Sequence, residues 1–392
     1  MELERITHLL EVYRDGLLHN TIPFWLQHGI DRECGGFFTA LDRDGSVIDT
    51  DKNVWQQGRF TWMLGELYNG VEQRAEWLEL ALHGGRFLEQ HCFDPQDGRM
   101  WFHLTREGRP IRKRRYAYSE SFAAIAFGEL ALATGDEKWK QRAVETFQRF
   151  VNHNLSPSGV EPKFTDTRPT RSIGFPMITI VTAQELRQSV GYSEAEKWID
   201  FSIEAIKQFH VHDDIECVME TVAMDGGRID HFDGRTLNPG HAIEGAWFIM
   251  REGEFRNDQS LVELGCRMLD WMWKRGWDEE YGGVLYFVDV RGLPVQEYWH
   301  DMKFWWPHNE TIVATLKAFQ LTGNAKYASW HQAVHDWSFQ HFPDSEFGEW
   351  FGYLRRDGRL STRLKGNHWK GCFHLPRMQL ECWKMLESMK NA

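Results

Sequence analysis

Hydrophobic positions along this chain keep two rhythms. Long stretches such as ESFAAIAFGELALAT from Glu120 and AEKWIDFSIEAIKQF from Ala195 repeat apolar residues at three- and four-residue steps. That spacing gathers apolar side chains on a helix face. Between such stretches lie short runs in which an acid is followed by a Gly turn, an aromatic-rich alternating segment and a second Gly turn. Asp31 opens DRECGGFFTALDRDG, Asp94 opens DPQDGRMWFHLTREG, Asp278 opens DEEYGGVLYFVDVRG and Asp344 opens DSEFGEWFGYLRRDG. Alternation bounded by Gly turns predicts β-hairpins. NLSPSGVEPKF from Asn154 and DIECVMETVAMDGG from Asp214 are weaker copies.

The six copies stand about 60 to 65 residues apart. A fixed period of this kind marks a repeated supersecondary unit. Each interval has room for two helices, so the chain predicts twelve. The expected fold is all-α: an (α/α)6 barrel, or toroid, with short β-hairpins at one end. No Pro- or Ser-rich linker interrupts it, and one domain is expected over residues 1–392. In such a ring the inner-helix starts and their loops converge on a funnel. An open α-solenoid is the alternative, but the terminal repeats carry no polar capping face.

Composition narrows the function. The chain has 392 residues and a hydrophobic fraction of 42%, enough for a large core. Its 19 tryptophans include core filler, yet many stand beside polar residues, as in a cleft where rings stack on sugar faces. With 45 basic against 57 acidic residues the net charge is −12. That argues against nucleic acid as a partner. Only Arg112 to Arg115 form a basic cluster. The six cysteines lack CxxC spacing and read as reduced thiols. No apolar stretch is long enough to span a bilayer, and residues Met1 to Leu10 show no signal-peptide pattern. A cytoplasmic location and a homodimeric assembly are expected.

Standard metal and nucleophile motifs are absent, namely HExxH, CxxC pairs, GxSxG and the P-loop. Pairs such as His210 and His212 lack the ligand company that a metal needs, and no metal is expected. Three polar segments open helices instead. In NPGHAIEGAW, Pro239 and Gly240 mark a helix start, and His241 and Glu244 stand three apart on one face. A carboxylate beside a histidine sets its tautomer and pKa, as a general base requires. In KFWWPHNE, His308 and Glu310 follow Trp305 and Trp306. In KGNHWKGCFHLPR, Lys370 precedes His374 at the last inner helix. A fourth candidate is Arg59 in VWQQGRFTW, beside Trp55. Its buried guanidinium needs an anion or sugar oxygen, or else a structural bridge to Glu66 or Glu244.

The strings WQQGRF, YSESFA, GRTLNPGHAIEGAWF, KFWWPHNE, FGEWFGYLRRDGR and KGCFHLPR resemble the N-acylglucosamine 2-epimerase family, also called the renin-binding-protein family and related to cellobiose 2-epimerases. The resemblance runs from residue 55 to residue 377 and implies the same (α/α)6 barrel. It implies that His241 and His374 are the acid/base pair that moves a proton at carbon 2 of an open-chain sugar. It implies that Arg59 orients sugar oxygens and the enediolate, and that Glu244 and Glu310 tune the histidines and help open the ring. Trp55, Glu120, His308, Trp305, Trp306 and Lys370 are then expected to bind substrate.

Met177 stands where cellobiose-type relatives tend to carry a histidine, which favours interconversion of N-acetylglucosamine and N-acetylmannosamine. The alternatives are mannose or cellobiose 2-epimerisation, an aldose–ketose isomerase, a glycoside hydrolase using Glu244 and Glu310, or a pure binding protein. Some members of this family respond to ATP through a loop after the third hairpin. Here Lys163, Thr165, Arg168 and Arg171 would supply the contacts. The loop is short and lacks glycines, so activity without any cofactor is expected, with ATP at most a modest allosteric activator.

Overall fold

The computed structural model describes residues 1–114, 116–156 and 165–391. Twelve long helices alternate between an outer and an inner position. The outer set comprises α1 (Leu3–Gly16, continued through a π-turn Leu17–Thr21 into Ile22–His28), α3 (Ala75–His91), α5 (Glu137–Leu155), α7 (Ala195–Ala205), α9 (Gln259–Gly276) and α11 (Ala325–His341). The inner set comprises α2 (Val54–Gly70), α4 (Tyr118–Thr134), α6 (Gly174–Val190), α8 (Pro239–Arg256), α10 (Trp305–Thr322) and α12 (His374–Asn391).

Inner helices bury nearly their whole circumference, polar residues included; outer helices bury one stripe. Each inner helix neighbours the next from α2 round to α12. The ring closes where α1 packs on α12 and where Lys384 of α12 bonds Glu66 of α2 at 2.7 Å. Close approach needs small residues at particular points. A Cβ on Gly58 would sit 2.8 Å from the Phe122 backbone, so this glycine sets the α2–α4 spacing. The structure is thus the expected barrel, not an open solenoid.

The hairpins gather at the inner-helix start. Their strands are two or three residues long, and in four places a strand entering an inner helix pairs with the next hairpin: Lys52–Asn53 with His103–Leu104, Thr170–Ser172 with Thr221–Ala223, Thr236–Leu237 with Val288–Asp289, and Lys303–Phe304 with Tyr353–Leu354. The opening acid of the motif is a structural clasp. Asp31 receives Lys52 Nζ at 2.8 Å and Arg106 Nε at 2.9 Å from the following hairpin. Asp278 receives Lys303 and Arg356 in the same way, and Asp344 receives Lys365 and, across the ring closure, Arg43. Burial opposes these charges, but the paired cations outweigh it and hold all three carboxyls well below the usual range.

Two of the residues expected to bind substrate belong to this framework. The backbone N–H at one repeated hairpin position is accepted by an inner-helix side chain in three hairpins: Phe37 by Gln57 at 2.7 Å, Met100 by Glu120 at 2.9 Å and Val284 by His308 at 2.9 Å. Glu120 and His308 are therefore anchors equivalent to Gln57. His308 also donates from Nδ1 to the Phe304 carbonyl at 2.7 Å, which uses both ring nitrogens. Its burial pushes the pKa down to about 3, so it stays neutral. Lys370 is a third correction. Its ammonium is buried against Glu349 at 2.7 Å and the Lys365 carbonyl at 3.0 Å, holding the last loop to the rim.

Candidate active site

The funnel leads into a cavity of about 1420 Å³ along the barrel axis. Of the sequence-predicted residues it brings together Trp55, Arg59, Arg171, His241, Glu244, Trp305, Trp306 and His374. Glu120, His308 and Lys370 lie outside it, for the reasons above. Glu310 stands just behind its wall, fully buried and bonded to His374.

His241 is the third residue of α8. Asn238 caps that helix by accepting the His241 N–H at 3.2 Å, and Pro239 fits the first turn. A Cβ on Gly240 would fall 2.8 Å from the Trp306 ring, so the glycine lets that indole reach His241. The carboxylate beside His241 is not Glu244. Nδ1 faces both oxygens of Glu220, at 3.1 and 3.2 Å. Glu220 comes from the fourth hairpin, 21 residues upstream. Burial disfavours the imidazolium, but the Glu220 charge and hydrogen bond, with Glu244 through space, leave the His241 pKa raised.

His374 opens α12. Its Nδ1 is 2.7 Å from Glu310 Oε1, a distance that makes Nδ1 the protonated nitrogen. Glu310 also accepts Trp247 Nε1 at 2.9 Å and Arg377 Nη2 at 2.7 Å. Burial and then the guanidiniums of Arg59 and Arg377 push the His374 pKa well down. In both histidines Nε2 is the nitrogen left for chemistry. Trp306 packs on both rings, 5.1 Å from His241 and 5.8 Å from His374.

Glu244 pairs with Arg377 Nη2 at 2.6 Å. One guanidinium nitrogen thus holds both Glu244 and Glu310. Glu244, Glu310 and His374 place ligand atoms within 4.8 Å of one another, close enough to hold a metal ion, but Arg377 already supplies the cation. The same closeness argues against a glycosidase pair, whose carboxyls stand farther apart to admit a sugar carbon between them. A second carboxylate group, Glu66, Glu129 and Glu185, lies lower on the inner helices and is met by Lys384, Asn69 and Arg251.

Arg59 has no carboxylate partner among the described residues. Its guanidinium lies over Phe122 at 4.1 Å and Phe373 at 4.8 Å, and its one hydrogen bond is to the Trp369 carbonyl at 3.5 Å. Burial lowers its pKa to about 9, which leaves it cationic at neutral pH. Arg59 Nε and the indole N–H groups of Trp55 and Trp305 are buried with no acceptor among the described residues. Three donors without acceptors line a cavity that suits sugar oxygens and developing negative charge.

Of the loop expected to meet ATP, Lys163 lies outside the described residues. Thr165 and Arg168 are exposed, and Arg171 donates to the Met224 carbonyl at 2.6 Å while covering Phe209.

The N-acylglucosamine 2-epimerase (GlcNAc 2-epimerase) family profile matches residues 36–375. The chain is 37% identical to the N-acylglucosamine 2-epimerase of Bos taurus, over 99% of this chain and 94% of that protein. The chain belongs to the N-acylglucosamine 2-epimerase family. Its activity is sugar 2-epimerisation. The cellobiose 2-epimerase of Bacteroides fragilis is 24% identical, over 92% of this chain and 95% of that protein. The solved cellobiose 2-epimerase from Bacillus thermoamylovorans superimposes with a TM-score of 0.84 at 19% identity, covering 96% of this chain and 99% of that one, and so shares the fold. No described helix is long and apolar enough to cross a membrane.

Proposed function

We propose that this enzyme interconverts N-acetylglucosamine and N-acetylmannosamine by a two-histidine proton transfer at C2. The observation that supports it is the pair of imidazoles, each with Nδ1 on a carboxylate and Nε2 without a partner among the described residues, on one cavity beside an Arg59 that meets no carboxylate there. The C2 proton is acidic only next to a carbonyl, so the sugar reacts in its open-chain aldehyde form. Glu244, at the cavity wall, helps open the ring. One histidine Nε2 takes the C2 proton, and the electron pair moves through C1 to O1. Arg59 and the Trp55 and Trp305 N–H groups stabilise the enediolate. The other histidine, as imidazolium, returns a proton to the opposite face of C2 and the aldehyde re-forms.

The N-acetyl group is the substrate feature favoured by the bovine relative, and Met177 gives the cavity an apolar wall where a histidine would suit unsubstituted sugars. Neither metal nor nucleotide enters this chemistry, and ATP is at most a modest activator. We also propose a cytoplasmic homodimer. Incubation with N-acetylmannosamine, N-acetylglucosamine, mannose and cellobiose, with and without EDTA and ATP, tests the reading. Turnover of the N-acetyl sugars is expected in every condition. Turnover of mannose or cellobiose alone would overturn it.

A further inference from the structure

Glu220 had no place in the sequence motifs, yet it is the only hydrogen-bonded carboxylate that His241 has among the described residues. Its backbone is fixed at the funnel rim, where its carbonyl accepts the Ile173 N–H at 3.0 Å at the start of α6. Its side chain is mostly buried, at 19% exposure, and lines the cavity. Glu310 shares its charge among His374, Trp247 and Arg377, whereas no guanidinium or ammonium bonds Glu220 among the described residues. We propose that Glu220 is a positioning residue that fixes His241 as the proton-bearing member of the histidine pair and thereby sets the order of proton transfer. The inference rests on the two-histidine reading above.

In the resting enzyme His241 is the imidazolium and His374 the neutral base. His374 Nε2 takes the C2 proton, and His241 Nε2 gives one to the opposite face. His241 Nδ1–H stays on Glu220 throughout, so Glu220 neither gains nor loses a proton. After the stroke the proton sits on His374, among two guanidiniums, and returns through solvent to His241, beside its carboxylate. The surroundings of His241 agree with this direction. Glu244 on its own helix adds negative charge, while His374 of α12 faces it across the cavity and itself lies under the charges of Arg59 of α2 and Arg377 of α12. Tyr118, Tyr286 and His210 feel the Glu220 charge from neighbouring elements; burial and that charge raise both tyrosines, which stay neutral.

The test is Glu220→Gln, with Glu220→Asp as the conservative partner, after circular dichroism confirms folding. In Glu220→Gln, kcat is expected to fall about tenfold or more at neutral pH with KM little changed. The alkaline limb of the kcat profile should move down by about one to three pH units, the usual effect of losing an adjacent charge. Glu220→Asp should recover part of that shift. NMR titration of the His241 ring reads the same property without substrate. An alkaline limb and a His241 titration that stay where the wild type has them would overturn the proposal, even if the rate falls. A wild-type enzyme idle on every sugar would defeat the two-histidine reading instead, and the NMR titration would still decide the role of Glu220.

Discussion

The two histidines of this site sit in the same local motif and are driven to opposite states. Each opens an inner helix, each gives Nδ1 to a glutamate, and each lies against Trp306. His241 has a carboxylate bonded to no other charged group among the described residues, and its pKa is raised. His374 has one that Arg377 and Trp247 also use, and it stands between two guanidiniums, so its pKa is pushed well down. A histidine–glutamate pair therefore does not by itself define an acid or a base. The neighbouring charges do, and unlike neighbours let one site hold both roles near neutral pH.

The strongest way to break this comparison is to remove each ring in turn. His241→Asn and His374→Asn should each cut epimerisation by at least about 10³-fold, since each face of C2 needs its own group. The two variants should differ in exchange of the C2 proton with solvent deuterium. His241→Asn keeps the neutral base and should still label one epimer at neutral pH. His374→Asn keeps the imidazolium, so labelling should appear only as pH rises above the His241 pKa. Mass spectrometry of recovered sugar reads the difference, and equal labelling in both at neutral pH would erase the asymmetry.

Arg59 sharpens the comparison from one side. After burial it is the largest influence lowering the His374 pKa. A depressed pKa on the base puts the acid limb of kcat/KM below the ordinary imidazole value of about 6.5, and a raised pKa on the acid puts the alkaline limb above it. The wild-type enzyme should therefore be near its plateau at pH 6.5. Arg59→Met should lower kcat roughly 10²- to 10³-fold through the enediolate. It should also move the acid limb up and leave the alkaline limb in place. A limb that did not move would show that burial and Arg377 hold His374 neutral without Arg59.

How much of this was legible depended on whether a residue belonged to the repeat or departed from it. The period, the ring and the hairpin acids were legible because they recur, and Asp31, Asp278 and Asp344 all make the same clasp. His241, His374, Arg59, Trp55 and the tryptophan pair stood out at inner-helix starts, and they meet in the cavity. The same rule misled at Glu120 and His308, polar residues at inner-helix starts that do the work of Gln57. Glu220 was missed because the fourth hairpin is the degenerate copy. The repeated bonds Phe38 to Gly29, Trp101 to Cys92, Met219 to His210, Leu285 to Gly276 and Phe351 to Phe342 align five hairpins. The next residue is Thr39, Phe102, Glu220, Tyr286 or Gly352. Only one of these is an acid, and that exception was the available signal.

Trp306 is the element common to both dyads, and changing it should have the smallest effect. Its ring lies tilted by 34° to His241 and 38° to His374, so one indole serves both imidazoles. An aromatic face favours a cation by about 0.5–1 kcal/mol at a partly exposed site. Only a protonated ring benefits, and in the proposed order of transfer that is His241. Trp306→Phe keeps an apolar spacer but weakens the face. The alkaline limb should therefore move down by less than about one pH unit, in the direction of Glu220→Gln but short of it. The acid limb, set by neutral His374, should stay, and kcat on the plateau should fall only a few-fold. If the acid limb moved instead, the protonated ring against Trp306 would be His374, and the two histidines would have exchanged roles.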